Sequence, residues 1–134
     1  MSPGNALDIT PSISPFFSNN PAFKVFTFAS GTFTPIDYRS LNYDLATMPA
    51  QFNPYYTFSQ AYSLTNAVPL DTNFSQLYPQ LVTNGVHRST YIDHFNSGNN
   101  TAGATPITPA NWPVFACGIS NMAQSDFIRC VNNY

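Results

Sequence analysis

The sequence predicts an α+β fold, with an N-terminal β-strand segment at residues 1–46 and a small C-terminal helical subdomain at residues 47–134. Three observations carry this. Apolar residues in the first third fall in short runs or alternations bounded by Gly and Pro, which is the strand pattern. Those in the remainder recur at three and four residues behind capping side chains, which is the helix pattern. The chain is also long enough, at 134 residues, and aromatic enough, at 16%, to pack a core rather than stay disordered.

The elements follow in order. Leu7 and Ile9 alternate as in a strand that ends at Pro11. In "FKVFTF", Phe23 and Val25 point one way and Phe26 and Phe28 the other, so both faces are apolar. "ASGT" supplies a Gly turn, and "TFTPIDYRSLNYDL" returns as the partner strand. Pro35 cannot donate to a ladder, so that strand is expected to begin at an edge or carry a bulge there. Asn53-Pro54 reads as a cap with proline at the first helical position, placing Tyr55, Phe58 and Tyr62 on one face. Asp71 caps the next helix, in which Phe74, Leu77, Tyr78, Leu81 and Val82 share a face. Pro79 is expected to kink or split it, and Asn84-Gly85 to end it in left-handed conformation. Tyr91 and Phe95 mark a short third helix, and residues 97–110 a polar loop. Trp112, Phe115, Ala116, Ile119, Phe127 and Val131 are the apolar positions of the last segment.

A strand apolar on both faces needs a covering layer on each side. The rest of the chain is short for two layers. Either part of the sheet is missing or a partner covers it, and the expectation is an apolar patch around Phe23, Val25, Phe26 and Phe28 on the sheet face without helices, a partner site or an aggregation liability.

Composition excludes some functions. Charged residues are only 7%, Glu is absent, and the net charge of -2 gives no electrostatic basis for nucleic-acid binding. No apolar run reaches the length of a transmembrane helix, and "MSPGNALDIT" lacks the basic start and apolar core of a signal peptide. The two histidines, His87 and His94, would stand about 10 Å apart along one helix, too far to share an ion. Asp37, Asp71 and Asp93 read as turn, cap and solvated-face residues, and there is no glycine-rich phosphate loop. Cys117 and Cys130 lie in no nucleophile signature and read as a disulfide or two buried thiols. Asn73 and Asn99 head glycosylation sequons, usable if the chain is secreted.

One stretch is more specific. Pro11-Ser12-Ile13-Ser14-Pro15, then Asn20-Pro21-Ala22-Phe23-Lys24-Val25-Phe26, a Gly turn and Ile36-Asp37-Tyr38 resemble the C-terminal part of acid sphingomyelinase-like phosphodiesterases. These belong to the calcineurin-like metallophosphoesterases. The family pattern is Pro-Ser-x-Thr-Pro, then Asn-Pro-Gly-aromatic-Arg-aliphatic-aromatic. Here Ser14 stands for Thr, Ala22 for Gly and Lys24 for Arg. The aromatic stretch "YYTFSQAYSL" and the final Cys…Cys helix pair are also similar, but the specific likeness is confined to residues 11–38.

The resemblance implies the terminal strands of a two-layer sandwich around a di-zinc centre, which cleaves phosphodiesters such as sphingomyelin with a metal-activated water. The family's ligand motifs (Asp-x-His, Gly-Asn-His-Asp/Glu, a lone His and Gly-His-x-His) are absent here and in family order lie upstream of Pro11. The chain is therefore expected to be the C-terminal segment of such an enzyme, not catalytic alone, with no cofactor of its own and zinc implied for the complete enzyme. Its expected partners are an upstream metallophosphoesterase core, in the same polypeptide or a separate chain, and a lipid or other phosphodiester substrate. The resemblance further implies a secreted or lysosomal/vacuolar location, and it places Ser12, Phe16 and Asn20 on the wall of the substrate cleft. Cys117 and Cys130 are expected to be bonded. One continuous helix would hold them about 20 Å apart, whereas a disulfide needs alpha carbons within roughly 7 Å. The bond thus requires a helix stop near Ser120-Asn121 and a new cap near Ser125-Asp126. A free-standing secreted binding module without catalytic activity, or an unrelated small structural domain, stands as the alternative.

Overall fold

A computed structural model describes residues 11–15, 19–47, 51–99 and 107–134. The fold is α+β, with β1 (Ala22–Phe28), β2 (Pro35–Tyr43) and β3 (Phe52–Thr57), then α1 (Phe58–Ala61), α2 (Leu70–Thr83), α3 (Gly85–Phe95), α4 (Trp112–Ser120) and α5 (Gln124–Asn132). The strands form one antiparallel sheet in the order β1-β2-β3. The strand expected at Leu7 and Ile9 lies outside the described residues.

The β1–β2 hairpin forms as its turn chemistry dictates. Gly31 takes φ +73°, which a side chain would resist. Ala29 N–H donates to the Thr34 carbonyl at 2.9 Å. Pro35 opens β2, and the register slips beside it: Thr27 pairs with Asp37 while Phe28 pairs with Pro35. The slip accommodates the missing proline N–H.

Asn53-Pro54 does not begin a helix. Residues 52–57 instead pair with β2 as the third strand, and α1 is a single turn starting at Phe58. Pro54 is tolerated because β3 is an edge strand. Pairing with β2 outweighs the local cap signal, which is identical in either structure. The expected division between residues 46 and 47 is accordingly not a structural boundary, since the third strand lies beyond it.

Directly paired residues share a face. Phe26, Tyr38, Ser40 and Tyr56 face the helices, whereas Phe23, Val25, Arg39, Leu41, Tyr43 and Phe52 face away. On the helical side, Tyr38, Phe58, Tyr62, Leu70, Leu77, Leu81, Trp112 and Ala116 form one core. The Tyr38 and Phe58 rings stack at 5.0 Å, and Phe26 packs on Tyr38 at 5.7 Å. Sheet and helices therefore share a single core.

α2 runs unbroken through Pro79, against the expected split. Leu70, Leu77 and Leu81 are buried on both sides of the proline, and their burial holds the helix together. Its C-terminus is not a left-handed Asn-Gly cap. Asn84 is extended, and its side chain accepts from Val86 N–H, making it the N-cap of α3. The end of α2 is satisfied from α3, where Arg88 Nε donates to the Leu81 carbonyl at 3.2 Å and a second guanidinium nitrogen donates to the Val82 carbonyl. Asp71 sits one residue inside α2 and binds Thr72 N–H rather than occupying the cap.

α4 and α5 fold back on each other through the Cys117–Cys130 disulfide, with alpha carbons 5.8 Å apart. The helix stop falls at Asn121, and α5 begins at Gln124 behind Ala123, one turn's edge earlier than the Ser125-Asp126 cap expected. Among the described residues, no helix is long and apolar enough to cross a membrane.

Candidate functional site

The residues expected on a cleft wall separate. Ser12 is exposed, its carbonyl accepting from Ala22 N–H at 3.1 Å and its hydroxyl from Ser14 N–H at 3.1 Å. Asn20 is only 2% exposed. Its Nδ2 donates to the Ser97 carbonyl at 3.2 Å, and its Oδ1 accepts from Leu45 N–H at 3.3 Å. Asn42 Nδ2 reaches the same Ser97 carbonyl at 2.9 Å. Asn20 thus ties the loop to the end of β2 and to the turn after α3, and it is not displayed to a substrate. Gly98 closes this junction at φ +77°, where an added Cβ would stand 3.2 Å from the Tyr55 hydroxyl. Phe16 lies outside the described residues.

Asp37, expected in a turn, is buried and accepts from Ser59 Oγ at 2.6 Å, Ser59 N–H at 3.0 Å and Tyr38 N–H at 2.9 Å. Three donors hold the carboxylate, which in turn fixes the first turn of α1. Asp37 and Ser59 are 22 residues apart, and no local pattern announces their pairing.

The histidines share one face of α3 and straddle the buried Tyr62 ring, His87 at 6.0 Å and His94 at 6.1 Å. His94 also lies flat on Tyr56, centroids 3.7 Å apart, with Tyr55 at its edge. Burial pushes the His94 imidazole down to a pKa of about 4, only partly opposed by the nearby Asp93. Burial likewise raises Tyr55 to about 12, with Asp93 adding to it, and raises Tyr62 and Tyr91. This is an aromatic cluster rather than a ligand set. Among the described residues no three His, Cys, Asp or Glu side chains converge as a metal site requires.

The sequons fare differently from their surface appearance. Asn73 is 0% exposed, and its Nδ2, the atom a glycan would occupy, donates to the Thr65 carbonyl at 2.7 Å. The folded chain cannot carry a glycan there. Asn99 is also buried.

What remains is the sheet face away from the helices. Val25, Arg39 and Thr57 form one row across three strands, and Phe23, Leu41 and Pro54 the next. Phe52 packs its ring against Phe23 at 5.0 Å and Tyr43 at 5.5 Å. Val25 is 45% exposed and the helical core lies on the other side of the sheet, while at the Thr27–Asp37 row the first turn of α1 closes over this face through Ser59. The expected patch is thus half right: Phe23 and Val25 belong to it, while Phe26 lies on the core side and Phe28 is exposed at the strand end beyond the bulge. Leu41, Tyr43 and Phe52 complete it. A shallow hollow of about 300 Å³ lies over Val25, Thr27, Arg39 and Thr57.

No protein-family model matches the chain, and no curated protein matches it.

Proposed function

We propose that this chain is the C-terminal segment of an acid sphingomyelinase-like phosphodiesterase, a phosphoric diester hydrolase, and that it completes the enzyme's fold without catalysing alone. The observation that carries the reading is that, among the described residues, the helical core packs on one face of the sheet while Phe23, Val25, Leu41, Tyr43 and Phe52 gather on the other. In this reading its cover is the upstream metallophosphoesterase core, which also supplies the zinc ligands. The likeness of residues 11–38 to the family pattern supports the same assignment. The disulfide suits an oxidising compartment, in line with a secreted or lysosomal/vacuolar enzyme.

The test is to express the chain joined to the protein sequence encoded immediately upstream of it. The joined protein is expected to hold stoichiometric zinc and to hydrolyse bis(p-nitrophenyl) phosphate, with turnover lost to a chelator. The chain alone should do neither. An upstream sequence without Gly-His-x-His and Asp-x-His motifs, or zinc with turnover in the chain alone, overturns the reading.

A further inference from the structure

The β1–β2 hairpin ends in a tip that the core does not use. Phe33 is 99% exposed, and Phe28, at the strand end paired with Pro35, is 54% exposed. The tip holds its shape by itself. Gly31 makes the turn at φ +73°. Ala29 N–H donates to the Thr34 carbonyl at 2.9 Å, and Thr32 N–H donates to the Ala29 carbonyl at 3.2 Å. The Thr32 hydroxyl also donates to the Ala29 carbonyl, at 3.3 Å, and accepts from Thr34 N–H at 3.2 Å. The Phe33 ring is therefore presented to solvent on a braced turn.

The chemistry of this tip narrows what it can meet. Residues 25–36 read "VFTFASGTFTPI" and contain no charge. The next residue, Asp37, is buried in its bonds with Ser59. A protein partner recognises a surface through hydrogen bonds and charge as well as apolar contact. Here charge is missing, and the Thr32 hydroxyl is engaged within the turn. A bilayer interface asks for less. It takes an apolar side chain that reaches the acyl boundary and leaves the remaining polar groups at head-group level. Backbone groups already paired within the tip lower the cost of leaving water. Without Lys or Arg, the tip gains nothing from anionic lipid.

We infer that the β1–β2 hairpin tip is a lipid-contacting finger, whose Phe33 ring enters the acyl boundary of a zwitterionic phosphatidylcholine surface. The contact is weak and reversible, because burial of one such ring favours the membrane by about ten- to a hundredfold. The inference stands on the hairpin alone and does not rest on the phosphodiesterase reading.

Phosphatidylcholine vesicles with brominated acyl chains test this, because bromine quenches tryptophan fluorescence on contact. The chain's one tryptophan, Trp112, is 3% exposed and serves as the internal blank. F33W emission should be quenched progressively as lipid is added, while wild-type emission stays constant. In sedimentation with the same vesicles, F33D should partition at least about tenfold less than wild type. Its Tm should stay within about 1 °C of wild type, as for an exposed loop position. Anionic vesicles should bind the chain no better than phosphatidylcholine. Equal sedimentation of F33D and wild type overturns the inference, as does F33W emission that lipid leaves unquenched. Binding that survives F33D and is lost in V25T/F52T assigns the lipid contact to the open sheet face and overturns the finger. Binding confined to anionic vesicles is equally contrary. F33W emission already blue-shifted, before lipid is added, in the chain joined to its upstream sequence would place Phe33 in a protein contact and also overturn it. Zinc and turnover in the joined protein decide the phosphodiesterase reading separately, whichever way the tip behaves.

Discussion

His94 lies between aromatic rings with its Nδ1 buried and unpaired, and that geometry has a measurable consequence. Its folded-state pKa of about 4 lies below the ordinary 6.5, so as pH falls the unfolded chain takes up the proton first. Stability from this residue is complete above pH about 6.5, declines as pH falls towards about 4, and falls no further below that. Linkage alone puts the loss at about 3 kcal/mol, and the partial exposure of the ring reduces it to about 1–2 kcal/mol. H94F keeps the stacking surface without the titration. Denaturant melts between pH 4 and 7 should show a smaller acid loss in H94F than in wild type; parallel curves would mean that His94 does not titrate in this cage. Asn73 makes a second residue-scale case. Its sequon resembles a surface signal, yet it stands four residues before Leu77 and eight before Leu81 on the buried stripe of α2. That spacing was available in the sequence, and it outranks the sequon. Protein made in a glycosylating host should show no glycan mass on the peptide containing Asn73, and occupancy there in folded material would contradict the burial.

At the scale of elements, local chemistry was a good guide wherever it decided the outcome locally. The Gly31 turn, the bulge beside Pro35 and the leucine stripe of α2 were all legible because each depends on neighbours in sequence. β3 was not, because Asn-Pro can open a helix or sit on a sheet edge, and only pairing with β2 chooses between them. The open face was half legible for the same reason. Alternation along β1 separates Val25 from Phe26, but the Val25–Arg39–Thr57 row exists only through register across three strands. Helix α5 shows what a long-range bond does for a weakly docked element. No residue of α5 is fully buried, and it is fastened by the disulfide and by Tyr134, whose hydroxyl accepts from Trp112 Nε1 at 2.8 Å. Closing a loop this short contributes about 3 kcal/mol in the chain-entropy account. The double variant C117A/C130A should lose about that much in denaturant melts. Its α5 amides should exchange with solvent much faster while those of α2 keep most of their protection. Uniform loss of protection across both helices would mean that α5 is integral to the global fold rather than clipped to it.

The described residues form one core on one side of the sheet and leave Val25 and Phe52 exposed on the other, and the two sides meet across the thickness of a single layer of strands. This makes the two sides a controlled comparison, because β3 carries residues on the open face and runs directly into α1, whose first residue lies in the core. Phe58, 1% exposed, lies under Tyr38 in the core, whereas Phe52, 39% exposed, lies on the open face. Truncating Phe58 removes a ring surrounded by Tyr38, Tyr62 and Phe74 and leaves a cavity. F58A should therefore cost about 3–5 kcal/mol in the isolated chain. Polar substitution on the other face removes only partly hydrated contacts, so V25T and F52T together should cost less than about 1 kcal/mol. The same pair should markedly reduce binding of a dye that reports apolar surface, and should raise the concentration at which the isolated chain stays monodisperse. In the chain joined to its upstream sequence the ranking should change. There V25T and F52T lie in a buried contact, and their cost should grow to several kcal/mol while that of F58A stays the same. A double substitution that is equally mild in both settings would show that the face stays in water. One already severe in the isolated chain would show that Phe52 and Val25 belong to a core within this chain, and the case for an external layer would be lost.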